Sequence, residues 1–311
     1  MNKLFSLSGA GLIALVLVFA ACSQKRAAAP EAAVATVSHI DSITVYCDEA
    51  FRDVVNAEIA IYENELPDKH IHVVYTSETE AMKHLEQDSS SVIIVGRKLR
   101  EQERTDILKR TNLQAEEHVF ATDAVALVAA DGLDRDTIPY RMVLSLLTNT
   151  SHEYDLVFEG NGSGVINYMF AQIAHSAVHP SAYAAKNIGE LVDYLRKDKR
   201  AIGFIPYSRI SDQYDSSATD LLKKVKVLYV SKPDSTGRIV SAMASQSEIA
   251  DGSYPLDRPV NLILHTMDGK VGTGFANFIH RERSSRIILK AGLVPAIMPQ
   301  RVINVNTDGV K

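Results

Sequence analysis

Short apolar runs alternate with helix-like segments along the first third of the chain. The runs at 43–46, 71–75 and 92–95 have the length and β-prone composition of buried strands. The segment after the first run opens at Asp48, carries apolar residues at helical spacing and is closed by Pro67. This alternation of strand and helix predicts an α/β fold with a parallel sheet.

Two further features continue the pattern. Ser77, followed three residues later by Glu80, has the spacing of a capping box and predicts the start of a short helix. A charged helix is predicted at 101–110, and an extended apolar run at 119–129 lies on either side of Asp123. Ligands of such sheets bind beyond the carboxyl ends of the strands, so the residues that follow each strand are the candidates for a site.

The second half of the chain contains another set of strands and helices. Helices are predicted at 140–147, 188–196 and 274–289, and strands at 156–158, 201–205, 225–230 and 259–265, with a looser polar stretch at 231–253. Two α/β lobes, with the chain crossing between them, explain this layout.

The junction after the strand at 156–158 is rich in glycine. The chain breaks on Gly160, Asn161 and Gly162 and restarts as a helix at Ser163, which is a good N-cap residue. Free N–H groups at a helix start form an anion site, and glycine lets the backbone approach a ligand closely. Because Gly, Asn and Ser suit any strand–loop–helix junction, this stretch alone favours an ordinary junction over an anion site.

The N-terminal segment has the pattern of a bacterial lipoprotein signal. Residues 1–21 combine Lys3, a continuous apolar stretch and two small residues directly before Cys22. The Ala-rich segment 22–40 has the composition of a flexible tether. We therefore expect a lipid on Cys22 and a domain held at a membrane surface in the periplasm. An uncleaved anchor and an ordinary signal peptide are the alternatives.

Composition and charge narrow the classes of partner. The formal net charge is −5, Trp is absent and no basic stripe with interleaved aromatic residues occurs, so nucleic acid is not expected as a partner. The 10 histidines and 2 cysteines show no metal-ligand spacing, and neither a metal nor another cofactor is predicted. With Cys22 lipidated, Cys47 has no disulfide partner and is expected to be a small buried hydrophobic residue.

Six landmarks in a fixed order carry a resemblance to a known family. They are 92–99 with Arg97 and Glu103, 119–128 with Asp123, 156–165, 201–207, the run Tyr254-Pro255-Leu256-Asp257-Arg258-Pro259, and 275–295 ending in Gly-Leu-Val-Pro. Together they resemble the solute-binding proteins of phosphate ABC transporters, a branch of the type II periplasmic binding proteins. The segments 48–51 and 77–81 resemble the variants found in lipoproteins of the Bacteroidetes.

The resemblance implies an architecture and a function. The implied fold is α/β and two-lobed, with mixed, mostly parallel sheets, helices on both faces and a ligand cleft between the lobes. Residues 41–122 and a return segment, 233–311, would form the first lobe, and 123–232 the second. The implied function is not enzymatic: capture of inorganic phosphate, or a related oxyanion, for the permease of an ABC transporter. Members of the family usually act as monomers.

The binding residues of the family are carried over position by position. The expected ligand-binding set is Ala50 and Phe51 through their N–H groups, Ser77, Ser163 and Gly164 as donors, Val165 beside them, and Arg97 as the candidate cation. For Arg97, a surface ion pair with Glu101 or Glu103 is the alternative.

Four positions depart from the family pattern. Ala50 and Val165 stand where the family has hydroxyl residues, and Ser91 stands where it has an acid. The arginine of the family, four residues before the serine of the glycine loop, is Glu159 here. A carboxylate in place of a guanidinium removes a charge-assisted partner and repels an anion. Glu159 therefore bears most directly on the identity of the ligand.

Two other functions remain open. A protein that keeps the binding fold but has lost phosphate would sense another ligand or serve as an envelope scaffold, and Glu159 and Val165 favour that reading. An esterase using Ser163 is disfavoured, because Asn161 stands where the nucleophile elbow G-x-S-x-G has its first glycine.

Overall fold

The chain alternates strands and helices from Asp41 onward. The computed structural model describes residues 41–87, 92–148, 150–173, 182–265 and 271–299. The predicted signal segment, the tether, the lipidation position Cys22 and Ser91 lie outside these ranges.

The regular elements within the described residues are the following. The strands are β1 (Asp41–Asp48), β2 (Lys69–Thr76), β3 (Val92–Val95), β4 (Glu116–Ala129), β5 (Thr137–Pro139), β6 (Asp155–Glu159), β7 (Tyr183–Ala185), β8 (Ala201–Pro206), β9 (Lys226–Val227), β10 (Tyr229–Pro233), β11 (Ile239–Ala242), β12 (Asp257–Leu264) and β13 (Val294–Pro295). The α-helices are α1 (Arg52–Glu65), α2 (Glu78–Glu86), α3 (Glu101–Thr111), α4 (Tyr140–Leu147), α5 (Gly164–Ala171), α6 (Ile188–Lys197), α7 (Ser216–Leu222), α8 (Gln246–Ala250), α9 (Val271–Phe278) and α10 (Glu282–Lys290). Short 3-10 helices lie at Glu49–Phe51 and Tyr207–Arg209.

One mixed sheet runs through the molecule in the order β2-β1-β3-β12-β4-β8-β6-β7. At one end β1 pairs in parallel with β2 and β3, and at the other end β6 pairs in parallel with β7 and β8. The two middle strands, β12 and β4, are antiparallel to their neighbours. The predicted α/β fold with parallel pairing within each lobe is confirmed.

The long strand β4 carries the chain from one lobe to the other. Its first part, through Ala124, pairs with β12, and its second part, from Val125, pairs with β8. The residues from Ala124 to Ala129 are fully buried, because this part of the strand is central in the sheet. This confirms the predicted strand crossing around Asp123.

The first lobe has helices on both faces of its sheet. Alternate residues of β3 enter separate apolar clusters: Val92 and Ile94 pack with side chains of α1 and α9, whereas Ile93 and Val95 pack with side chains of α2 and α3. Successive side chains of a strand point to opposite faces, so a four-residue apolar run is the pattern of a strand covered on both sides. Cys47, at the end of β1, is buried and free, as predicted.

Two sequence-based predictions of elements were wrong. The single helix at 274–289 is two helices, α9 and α10, which separate at 279–281 and pack on different surfaces, α9 on β1, β2 and β12, and α10 on α1 and β13. The run at 225–230 is two short strands, β9 and β10, which pair with β4 and β5 respectively. Both elements change neighbours in the middle of a continuous apolar pattern, and such a change leaves no signal in the periodicity.

The polar stretch at 231–253 is also more ordered than its composition indicates. It contains β11, which pairs antiparallel with β10 through a turn in which the Asp234 carboxylate accepts the N–H groups of Thr236 and Arg238. Strands β11, β10 and β5 form a separate three-stranded sheet. The return segment predicted from 233 therefore includes a strand that pairs with β10, and the lobe boundaries at 122/123 and 232/233 stay predictions.

Glu58, on α1, generates a prediction about pH and stability. Its carboxylate is fully buried, with Oε1 accepting the hydroxyl of Ser284 at 2.9 Å. Burial raises the pKa of Glu58 to about 7, and the Ser284 bond lowers it in part. Because the pKa lies higher in the folded than in the unfolded chain, the stabilisation linked to the bound proton is complete at low pH and is lost as the pH rises through about 7.

We expect Glu58→Gln to raise the free energy of unfolding more at pH 8 than at pH 5. The difference between the two gains should be on the order of 1–3 kcal/mol. The amide keeps the acceptor for Ser284 and removes the charge that burial disfavours. Urea denaturation at the two pH values measures this difference. Glu65→Gln, at a partly exposed position of the same helix, is the control. A gain for Glu58→Gln that is equal at both pH values would contradict the explanation.

Candidate functional site

A buried arginine lies where β12, β4 and the carboxyl end of β1 meet. The guanidinium of Arg258 donates from Nε and Nη2 to Oδ2 of Asp123, at 2.9 and 2.8 Å, and both side chains are fully buried. The second oxygen of Asp123 accepts the N–H of Ser208 at 2.9 Å. A charge buried this deeply requires such a partner, so the pair fixes β12 against β4 at the crossing point.

Two more buried carboxylates face the same arginine. Asp48 accepts the N–H groups of Ala50 at 3.1 Å and of Gly164 at 3.2 Å. Glu78 accepts the N–H of Gly96 at 2.9 Å through Oε2. Burial raises the pKa of Asp48 to about 6, Arg258 opposes this shift, and Glu78 adds to it. Arg97 Nε also lies 3.7 Å from Glu78 Oε1, at the edge of the cluster, so three carboxylates stand against one fully buried guanidinium and one that is shared with Glu103.

Gly164 is required at this point by space. A Cβ at this position would lie within 3 Å of Asp48 Oδ2, Glu78 Oε2 and Arg258 Nη1 at once. Asp48 ends β1 and Glu78 starts α2, whereas Gly164 starts α5 in the other lobe. The predicted close approach of the glycine loop therefore exists, but the group it approaches is a carboxylate of the protein itself.

The start of α2 touches the glycine loop directly. Thr79 donates its N–H and its hydroxyl to the carbonyl of Gly162, at 3.2 and 3.1 Å. Asn167, one turn into α5, donates its amide to Glu78 Oε1 at 2.9 Å. Gly160 and Gly162 have φ angles of 74° and 68°, which favour glycine. The hydrogen bonds from Thr79 to Gly162 and from Asn167 to Glu78 hold the two lobes against each other at the inner end of the cleft.

A cavity of about 470 Å³ lies beside the cluster, within the range of small-molecule sites. Five residues of the predicted binding set line it: Ala50, Ser77, Ser163, Gly164 and Val165. Two of the backbone donors expected to hold a ligand, the N–H groups of Ala50 and Gly164, are already bonded to Asp48. The Ser77 hydroxyl accepts the N–H of Glu80 at 3.3 Å, as the capping box predicts.

Two residues of the predicted set do not line this cavity. Phe51 is buried in the core, and the guanidinium carbon of Arg258 lies 5.1 Å from the centre of its ring. Arg97, predicted as the candidate cation, makes two bonds of 2.8 Å to Glu103 and contributes to a different surface, next to Asn167. The alternative predicted for Arg97, an ion pair with Glu103, is the arrangement in the structure, and Arg97 does not line this cavity.

The cation that does line the cavity is Arg209, which the sequence reasoning missed. It ends the 3-10 helix after β8, and its Nη2 lies 3.1 Å from Glu159 Oε1. Its Nε is buried without a hydrogen-bond partner among the described residues. The carboxylate that replaces the arginine of the family is therefore paired with an arginine from another strand end. The position of Arg209, just beyond a strand, was the available signal.

Glu159 itself is 8 % exposed. Burial raises the pKa of its carboxyl, and Arg209 opposes the shift. A second cation, Lys186, lines the same part of the cavity just before Asn187, which caps α6. The outer part of the cleft is thus less negative than the inner cluster.

Ser163 offers a free donor to this outer part. It stands at the N-cap of α5, but its side chain makes no capping bond. Its hydroxyl oxygen is buried and has no hydrogen-bond partner among the described residues. A hydroxyl at a helix start, with Arg209 and Lys186 on the same cavity, can hold an anion.

The described residues indicate neither a metal site nor a membrane span. No group of three or more His, Cys, Asp or Glu side chains is placed to hold a metal ion in this part of the chain. Among the same residues, no helix has both the length and the apolar character needed to span a bilayer.

Comparison with solved structures gives proteins of the same fold. A phosphate ABC transporter substrate-binding protein from Clostridium perfringens, with bound phosphate, is 18 % identical with a TM-score of 0.64 over 83 % of this chain and 100 % of its own. An ABC-type phosphate transport receptor from Vibrio cholerae is 16 % identical with a TM-score of 0.62 over 81 % and 99 % of the two chains. PstS from Borrelia burgdorferi is 14 % identical with a TM-score of 0.54 over 82 % and 98 %. At these identities the likeness concerns the fold, and it confirms the two-lobed architecture.

Comparison with the curated proteins gave no match. A family model described as a PBP superfamily domain matches residues 27–283. This match covers well over half of the chain and includes both lobes and the cleft between them. The chain therefore belongs to the PBP superfamily.

Proposed function

We propose that this protein is a solute-binding protein that captures inorganic phosphate, or a related oxyanion, in the cleft between its lobes. The observation that carries the proposal is the buried, unpartnered hydroxyl of Ser163, placed at the start of α5 on the same cavity as Arg209. A buried donor without a partner is unfavourable, and an anion at this point satisfies it. The phosphate-binding and phosphate-transport proteins of the same fold support the same ligand class.

The charges of the inner cluster indicate that the anion binds outside it. Asp48, Glu78 and Asp123 surround Arg258, which donates from Nε and Nη2 to Asp123, while its Nη1 has no hydrogen-bond partner among the described residues but lies against the carboxylates of Asp48 and Glu78. An added anion would be repelled there. We therefore place the oxyanion in the outer part of the cleft, against Ser163 and Arg209, with Ser77 and the Val165 N–H beside it.

The cellular setting is also proposed. The predicted signal segment and Cys22 support a lipid-anchored protein of the periplasm that works as a monomer and passes its ligand to the permease of an ABC transporter. This proposed setting is supported by the sequence pattern of residues 1–40 and by the extracytoplasmic role that the fold implies.

Two alternative functions have specific observations for or against them. Glu159 and Val165 favour a receptor for a different ligand or an envelope scaffold, since neither suits a bare phosphate ion. An esterase needs a base that activates Ser163, and the Ser163 hydroxyl has no hydrogen-bond partner within the described residues. The first histidines after Ser163 in the sequence, at 175 and 179, lie outside the described residues.

The first prediction of the proposed function distinguishes Arg209 from Arg97 as the cation that binds phosphate. In a Glu159→Gln background, we expect Arg209→Gln to lower the affinity for phosphate at least about tenfold, since it removes the cation of the cleft without leaving a buried carboxylate unpaired. Calorimetric titration of the full chain in detergent measures the affinity.

The matched control uses the other ion pair. Arg97 and Arg209 have similar side-chain exposure, 21 % and 24 %, and each has a short contact with one glutamate, Arg97 with Glu103 and Arg209 with Glu159; Arg97 has a longer contact, of 3.7 Å, with Glu78 as well. Arg97→Gln in a Glu103→Gln background should leave phosphate affinity unchanged. An equal or larger loss for Arg97 would contradict the proposed site.

The second prediction concerns two serines of the cleft. Ser163→Ala should weaken phosphate binding about tenfold without lowering the free energy of unfolding, because the hydroxyl makes no hydrogen bond to the described residues. Ser77→Ala should lower the free energy of unfolding by about 1 kcal/mol, since that hydroxyl caps α2. Titration and urea denaturation of both variants test this contrast, and a loss of stability in Ser163→Ala without loss of binding would argue against the site.

The third prediction concerns the anchor. The intact mass of the chain purified from bacterial membranes should correspond to a mature protein that begins at Cys22 and carries acyl chains. The Cys22→Ser variant should lack this added mass. A wild-type chain that retains residues 1–21, or that begins after them without a lipid, would favour the uncleaved anchor or the ordinary signal peptide.

A further inference from the structure

Glu159 has a carboxylate oxygen for which the protein supplies no donor. The residue is 8 % exposed and lines the cleft cavity. Its Oε1 is held by Arg209, whereas Oε2 is buried with no hydrogen-bond partner among the described residues. A buried acceptor of this kind is unfavourable unless a ligand donates to it. Hydrogen phosphate has an O–H to donate, but its net negative charge is repelled by an ionised carboxylate, whereas a cationic donor is attracted.

The charges around the cavity point to the same kind of ligand. Its charged lining residues are Asp48, Glu49, Glu159, Lys186 and Arg209. Asp48 is bonded to backbone N–H groups of the inner cluster, and Glu49 is paired with Arg52 at 2.6 Å. Of the other three, Glu159 and Arg209 are paired at 3.1 Å and Lys186 adds a second cation, so the lining presents groups of both signs to a ligand.

The two subsites lie close together because one loop carries both. Glu159 ends β6, and Ser163 follows after the turn at Gly160 to Gly162. A Cβ at Gly160 would lie 3.5 Å from the Cβ of Ser163, so the loop folds back on itself. A ligand that reaches both positions needs a short spacer. The cavity of about 470 Å³ is larger than a bare phosphate ion requires.

We infer that the preferred ligand is a small zwitterionic phosphate monoester, whose phosphate group lies against Ser163 and Arg209 and whose primary ammonium group donates to Glu159 Oε2. This inference rests on the proposed function and specifies its substrate class. The ammonium supplies the donor that Glu159 lacks, and the phosphate supplies the acceptor that Ser163 and Arg209 lack. Glu159, unfavourable for inorganic phosphate, then becomes the residue that selects the ligand.

The test compares three probes by calorimetric titration of the full chain in detergent. Phosphoethanolamine carries the ammonium group, propyl phosphate has the same chain length without the charge, and inorganic phosphate has neither chain nor ammonium. We expect phosphoethanolamine to bind at least about tenfold more tightly than propyl phosphate. This comparison needs no variant and so does not depend on the folding of one.

Glu159→Gln then reverses the preference. It should lower the affinity for phosphoethanolamine at least about tenfold and raise the affinity for inorganic phosphate, since the amide no longer attracts ammonium or repels the anion. Glu58→Gln, which alters a buried carboxylate outside the cleft, should leave all three affinities unchanged.

The outcomes separate this inference from the proposed function. Equal affinities for phosphoethanolamine and propyl phosphate, or a Glu159→Gln variant that weakens all three probes alike, would overturn the inference while phosphate binding stands. Failure of the wild-type chain to bind any of the three probes would overturn both.

Discussion

The guanidinium of Arg258 is the group on which the arrangement of the cleft depends. It is fully buried, donates twice to Asp123, and lies next to the carboxylates of Asp48 and Glu78. These side chains come from β12, β4, the end of β1 and the start of α2. Removing one partner of such a buried pair typically costs 3–5 kcal/mol. The charges therefore bind the first lobe to the crossing strand, and the strand ends that form the cleft are positioned as a consequence.

This cluster also determines where a ligand can bind. Its carboxylates occupy the N–H groups of Ala50, Gly96 and Gly164 that would otherwise be open to an anion. Within the described residues, Arg258 Nη1 also has no hydrogen-bond partner, but it lies beside the carboxylates of Asp48 and Glu78. The other donors of the cleft are Ser163, Arg209 and Lys186, which line the cavity next to the cluster. Glu159 lies among them and adds an acceptor. The chain thus keeps the architecture of an oxyanion-binding protein and distributes its charges differently, and the proposed ligand follows from that distribution.

Local patterns predicted most of the fold and part of the site. The apolar run at 119–129 identified the crossing strand, and Ser77 and Ser163 marked two helix starts that line the cleft. The glycine loop was predicted to approach a ligand closely, and in the structure Gly164 approaches Asp48 and Glu78 instead. The replacement of arginine by Glu159 was visible in the sequence, but its partner Arg209 was not, because Glu159 ends β6 and Arg209 lies 50 positions later, in the 3-10 helix after β8. Arg97 was predicted as the cation because local spacing does not reveal which arginines a fold brings to its cleft.

The most direct test of the account is a crystal structure of the full chain with phosphate. The account predicts an ion in the outer cleft, with oxygens on the Ser163 hydroxyl and on Arg209, and with the two bonds from Arg258 to Asp123 intact. Phosphate bound to Arg258, with Asp48 and Glu78 turned away from it, would contradict the account, because the inner cluster would then be the binding site and Glu159 would not select the ligand.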